Sequence, residues 1–133
     1  MNKREKIIVF LMIIGVLYFS QYMNVKEPIP WIEYKLIAHA LGDIDDNNYT
    51  NSLEALTESI EEGYKLVEAD ILLTSDNQLV LRHDWQIERF IKFNQSYTDD
   101  GSGIYIPSLD EFKSYKIYDQ YTSMTFRDLL EFM

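Results

Sequence analysis

Residues 66–84 read LVEADILLTSDNQLVLRHD: two apolar runs separated by Thr74-Ser75-Asp76-Asn77. Apolar runs of this length bounded by turn residues predict strands, here over 65–73 and 78–83. Side chains alternate along a strand, so Glu68 and Asp70 fall on one face. Buried strands seldom carry Glu, Asp and His unless the charges are paired, metal-bound or catalytic. Working outward, Leu36-Ile37-Ala38-His39 predicts an earlier strand. The chain has 2 histidines, and both His39 and His83 fall at the carboxyl end of a predicted strand.

The polar stretch GDIDDNNYT (42–50) predicts a loop, and a helix follows it. Asn51 suits its N-cap with Glu54 three positions on, Leu53, Leu56 and Ile60 make one apolar face, and Gly63 suits its end. Residues 99–103 (DDGSG) predict a second exposed loop. Ser108-Leu109-Asp110-Glu111 and Thr125-Phe126-Arg127-Asp128 predict capping boxes that open short helices. Strand, helix, strand in this order points to an α/β fold with parallel strands covered by helices.

With 133 residues and no cysteine, the chain has neither a disulfide framework nor a Cys-based zinc site. Hydrophobic residues make up 47% of it, which argues against disorder. A net charge of −10 speaks against binding nucleic acid, whose phosphates are held mainly by clustered Lys and Arg. Acidic surfaces favour cations instead.

The first 23 residues differ in character. Lys3, Arg4 and Lys6 precede an uncharged run over 7–19 rich in Ile, Leu, Val and Phe. A positive flank before an apolar core matches a signal peptide or signal anchor, and the absence of a small-x-small cleavage site after Phe19 favours the anchor. The expected organisation is an anchor or transmembrane helix over 1–23, a proline-containing linker over 24–32 and a folded domain over 33–133. That places the protein at the cell membrane as a single-pass chain with its folded part extracytoplasmic.

Glu68 and Asp70 offer two oxygen donors to a hard divalent cation, Ca²⁺ or Mg²⁺, and no third His or Cys nearby favours zinc. In parallel α/β folds ligands gather outside the carboxyl ends of strands, so His39 and His83 can reach one site. Two imidazoles astride a phosphodiester divide the labour: one takes the proton of the nucleophile while the other protonates the leaving oxygen.

Together, His39-Ala40, Glu68-Ala69-Asp70 and His83-Asp84 resemble the glycerophosphodiester phosphodiesterase family, whose motifs are His-Arg, Glu-x-Asp and His-Asp. Asn51-Ser52-Leu53-Glu54-Ala55 is similar to its Asn-Thr/Ser-Leu-Glu-Ala helix start. Leu73-Thr74-Ser75-Asp76 is similar to its Leu-Thr-x-Asp turn, and Met124-Thr125-Phe126 to its Leu-Thr-Leu helix entry. The resemblance implies metal-dependent hydrolysis of glycerophosphodiesters. It also implies His39 and His83 as the acid/base pair, Glu68 and Asp70 as metal ligands, and Asn51 and Asp84 as substrate-site residues. For Asn51 a plain helix cap, and for Asp84 an ordinary loop-start residue, stand beside those roles.

Two departures bear on that expectation. The phosphate-binding Arg of the family is Ala40 here, which removes a bidentate donor, and Arg82 should face away from His83 by strand alternation. The 38–43 loop resembles that of a membrane-anchored bacterial branch without this Arg. A (β/α)₈ barrel takes about 250 residues, so the expected fold is an incomplete amino-terminal part of such a barrel, belonging to a longer enzyme, and the family's third metal-ligating carboxylate has no counterpart. The alternatives are an inactive, membrane-tethered binding module derived from the fold and a phosphoinositide-phospholipase-C-like enzyme, which a cyclic phosphate product would reveal.

Overall fold

The computed structural model describes Asn2, Phe10, residues 12–15 and residues 33–133. The chain divides into two units, Met1–Glu33 and Tyr34–Met133. In the first, Phe10 and residues 12–15 are helical and exposed. The expected anchor over 1–23 and linker over 24–32 otherwise lie outside the described residues. No helix among the described residues is long and apolar enough to cross a membrane.

The second unit is a mixed α/β fold. A single 3₁₀ turn, His39–Leu41, precedes α1 (Leu53–Glu61), β1 (Ile71–Leu73), β2 (Leu79–Leu81), α2 (Ile87–Lys92), α3 (Leu109–Ser114), β3 (Lys116–Ile117), β4 (Tyr121–Thr122) and α4 (Phe126–Phe132). β1 pairs with β2 and β3 with β4, both antiparallel, so the described residues form two two-stranded sheets and no closed barrel.

The parallel arrangement expected for the three apolar runs is therefore corrected. Thr74–Gln78 is a tight turn: the Thr74 hydroxyl donates to Asp76 Oδ1 at 2.6 Å, and the Gln78 N–H donates to Thr74 Oγ1 at 3.0 Å. So short a link permits a hairpin, whereas parallel neighbours need a crossover of a dozen or more residues. The register is Ile71 to Leu81, Leu72 to Val80 and Leu73 to Leu79.

Parallel pairing survives in one bridge. The Ala38 N–H donates to the Leu66 carbonyl at 3.0 Å, and the Glu68 N–H donates to the Ala38 carbonyl at 2.8 Å. The run over 36–39 does not continue as a strand, because Ala40 (φ +51°) and Leu41 (φ +68°) turn the chain out of the extended region. Gly42 (φ +108°) completes this corner, and a Cβ there would sit 2.0 Å from Ser59 Oγ, the hydroxyl that donates to the Leu41 carbonyl at 2.8 Å. Only glycine satisfies both the backbone and the contact.

Three apolar clusters form the core. Leu41, Leu56, Leu81, Met124 and Leu129 join the corner, α1, β2 and α4. Val80, Trp85, Phe90 and Phe112 fill the space between β2, α2 and α3. Phe93, Ile117 and Tyr121 close the end at β3 and β4. Burial of each large side chain contributes about 1.5–3 kcal/mol.

The N-cap of α1 is Ser52, whose Oγ accepts from the Ala55 N–H at 3.2 Å, and not Asn51. Glu54 reaches across instead, accepting from the Thr122 N–H at 2.7 Å and the Thr122 hydroxyl at 2.8 Å, so it ties α1 to β4. The capping boxes at Ser108 and Thr125 both form.

Arg82 faces the core, as alternation predicts, and is 3% exposed. Its guanidinium lies 4.6 Å from the Phe90 ring centroid and 5.0 Å from that of Phe93. It donates to Gln95 Oε1 at 2.7 Å and to the Asp84 carbonyl at 3.1 Å, while Nη2 is buried without a partner. Burial pushes its pKa down to about 10.

Candidate active site

His39 stands at the start of the 3₁₀ corner, immediately after the Ala38 bridge to the segment that carries Glu68. That bridge sets Glu68 beside the corner: Oε2 accepts from the Ala40 N–H at 2.9 Å and lies 3.6 Å from His39 Nε2. Asp70, two residues on, is clamped by Asn51. The Asn51 amide donates to Asp70 Oδ2 at 2.9 Å, and its carbonyl accepts from the Asp70 N–H at 3.0 Å. Asn51 is 1% exposed and reaches this geometry at φ +51°, a left-handed conformation that asparagine tolerates better than most residues.

His83 arrives from the other strand of the hairpin. The Arg82 N–H donates to the Asp70 carbonyl at 3.0 Å, so the backbone holds the His83 end of β2 beside the carboxylate segment. Thus His83 does reach the site, through an antiparallel hairpin and not from the carboxyl end of a parallel strand. Between the two imidazoles stands Tyr49, its ring centroid 5.0 Å from that of His39 and 6.3 Å from that of His83, with its plane near-perpendicular to both. Tyr49 also has a positive φ, +61°, and nothing in the polar 42–50 stretch singles it out beforehand. Left-handed residues of this kind cluster where function over-determines the backbone, and the 40–51 segment holds six: Ala40, Leu41, Asp45, Asp46, Tyr49 and Asn51.

Asp84 is the partner of His83. Its Oδ2 lies 2.9 Å from His83 Nδ1 and also accepts from Arg89 Nε at 3.1 Å and Arg89 Nη2 at 2.8 Å, while Oδ1 accepts from the Gln86 N–H at 3.0 Å. Burial opposes its ionisation, yet these donors together hold the carboxyl below the usual carboxylate range. Sequence reasoning did not reach Arg89. Its only signal is position: it lies five residues beyond Asp84, on the helix that opens directly after the His-Asp pair.

Ala40, where the resemblance leads to an arginine, is fully buried and contributes only backbone groups, its N–H to Glu68 and its carbonyl to the Asn51 N–H at 3.2 Å. An open cavity of about 540 Å³ borders the site on the His39 side, with Asp43, Asp45, Asp46, Glu58 and Glu62 along its wall. His39 and Tyr49 line the same cavity, so this side of the site opens onto an acidic wall that repels anions.

As to a metal, Glu68 and Asp70 are the oxygen donors that suit a hard cation. Among the described residues no group of three or more His, Cys, Asp or Glu is placed to hold an ion. Glu68 is held by the Ala40 N–H and Asp70 by Asn51. The described residues bring together all six side chains singled out from the sequence, His39, Asn51, Glu68, Asp70, His83 and Asp84, through the links given above.

Comparison with curated proteins gives no match. Residues 44–133 match the Glycerophosphoryl diester phosphodiesterase family, a range that takes in Asn51, the Glu68/Asp70 pair and the His83-Asp84 pair and begins just after His39. Members of that family are phosphodiester hydrolases on a TIM-barrel fold, and with more than half the chain matched, this protein belongs to the glycerophosphoryl diester phosphodiesterase family.

Proposed function

We propose that this chain serves the hydrolysis of glycerophosphodiesters, with His39 and His83 as the acid/base pair and Glu68 and Asp70 as ligands of one Ca²⁺ or Mg²⁺. The observation that carries the reading is the convergence of both imidazoles on Tyr49 beside the carboxylate segment, with His39 Nε2 3.6 Å from Glu68. Asn51 orients Asp70, and Asp84 orients His83. When bound, the cation supplies positive charge to the phosphoryl oxygens. One imidazole removes the proton from the attacking water and the other protonates the departing alcohol, steps worth roughly 10²–10⁴-fold each.

The same reading makes the protein part of a longer, membrane-anchored enzyme with its site outside the cytoplasm, as in the bacterial branch that lacks the Arg at the Ala40 position. The basic flank and apolar run over 1–23 support that placement. Release of glycerol 3-phosphate from a glycerophosphodiester, with and without a chelator, tests the activity. His39→Ala and His83→Ala are each expected to lower turnover at least 100-fold, and unchanged turnover in either would sink the assigned roles. A second reading, a tethered binding module without turnover, is favoured by the buried Ala40; Ca²⁺ binding by calorimetry in a chain that turns over no substrate would support it.

A further inference from the structure

We propose that Arg89 is a positioning residue for His83: by holding Asp84 it fixes the imidazole with its proton on Nδ1 and leaves Nε2 to act as the proton acceptor. The inference rests on the phosphodiesterase reading for its consequence, though not for its geometry.

Two groups compete for His83 Nδ1. Asp84 Oδ2, an acceptor, lies at 2.9 Å, and Arg89 Nη2, a donor, lies at 3.3 Å. Nη2 already donates to Asp84 Oδ2 at 2.8 Å, so the shorter contact to the carboxylate decides the tautomer in favour of Nδ1–H. In the neutral ring Nε2 then carries the lone pair. Assigning the base role to His83 leaves the acid role to His39, whose Nε2 lies 3.6 Å from Glu68 Oε2.

Arg89 is built to hold this arrangement. Its side chain is 16% exposed, and Nε and Nη2 close on one carboxylate oxygen. The guanidinium also lies 5.6 Å from the Phe93 ring centroid, which limits its freedom. Lysine would supply a charge without the fork. Asp84 without Arg89 retains the Gln86 N–H, which anchors Oδ1 and leaves the oxygen facing His83 unrestrained.

The test is nitrogen NMR of the His83 ring in the full chain, combined with steady-state kinetics on a glycerophosphodiester. Wild type should show the Nδ1–H tautomer. Arg89→Met should shift His83 toward the Nε2–H form and lower kcat about 10- to 100-fold with little change in KM, while Arg89→Lys recovers part of both. If Arg89→Met and Arg89→Lys both fold, by circular dichroism, and both retain the wild-type tautomer, the positioning role is wrong. If Arg89→Met does not fold, Arg89→Lys alone decides: a wild-type tautomer with wild-type kcat overturns the role, and a partial loss of both supports it. A tautomer shift in a chain whose wild type turns over no substrate supports the positioning and refutes the phosphodiesterase reading.

Discussion

Asn51 joins two demands in one residue, since its left-handed backbone and both ends of its amide serve Asp70. Asn51→Ala removes a charge-assisted bond and a neutral one, and urea unfolding is expected to show a loss of about 2–3 kcal/mol. Asn51→Asp should be destabilised at neutral pH through repulsion with Asp70 and recover as the solution is acidified. That Asn51 matters was legible from the sequence, but the reason was not: its neighbour Ser52 takes the cap, and the two candidates differ only in backbone conformation. Asp84 gives a pH signature. Its carboxyl titrates below its unfolded value of about 3.9, so its contribution is complete above that value and is lost as the pH falls through the lower folded one. The stability gap between wild type and Asp84→Asn should be constant above about pH 5 and shrink below about pH 4. A gap that widens on acidification would contradict the ion-paired state.

At the level of elements, the sequence signals that depend on near neighbours came through. Both capping boxes are where Ser108 and Thr125 predict them, and the turn at Thr74–Asp76 is where its residues predict it. What failed depends on distant pairing. The run at 36–39 is apolar enough for a strand, yet its chain turns at Ala40 because Glu68, 28 positions later, captures the Ala40 N–H. The Thr-Ser-Asp-Asn signal itself implied a hairpin, since a tight turn admits no crossover, but apolar periodicity alone cannot tell parallel from antiparallel neighbours. Glu54 likewise reads as a capping partner in sequence and proves to be a cross-link to Thr122. Replacing it with Ala leaves the half-buried Thr122 N–H without this partner, so thermal unfolding of Glu54→Ala is expected to show a cost of about 1–3 kcal/mol. Ser108→Ala, an exposed cap, should cost about 1 kcal/mol.

For the molecule as a whole, short sheets leave apolar surface uncovered. Leu73 and Leu79 face each other across the hairpin and are 50% and 46% exposed, with Ile71 on the same face at 42%. Unpaired strand edges beside such a patch favour association between chains. The apparent molar mass of the folded chain from light scattering should rise with concentration, and Leu79→Lys should suppress that rise without lowering the unfolding temperature by more than a few degrees. A concentration-independent mass in wild type would show that this face does not associate. Tyr49, finally, makes the site observable. Because its ring lies near-perpendicular to both imidazoles at 5.0 and 6.3 Å between centroids, its aromatic protons feel the ring currents of two neighbours at once. One set of tyrosine resonances therefore answers to the position of either imidazole, and a side chain built into the fold reports on both without any added label.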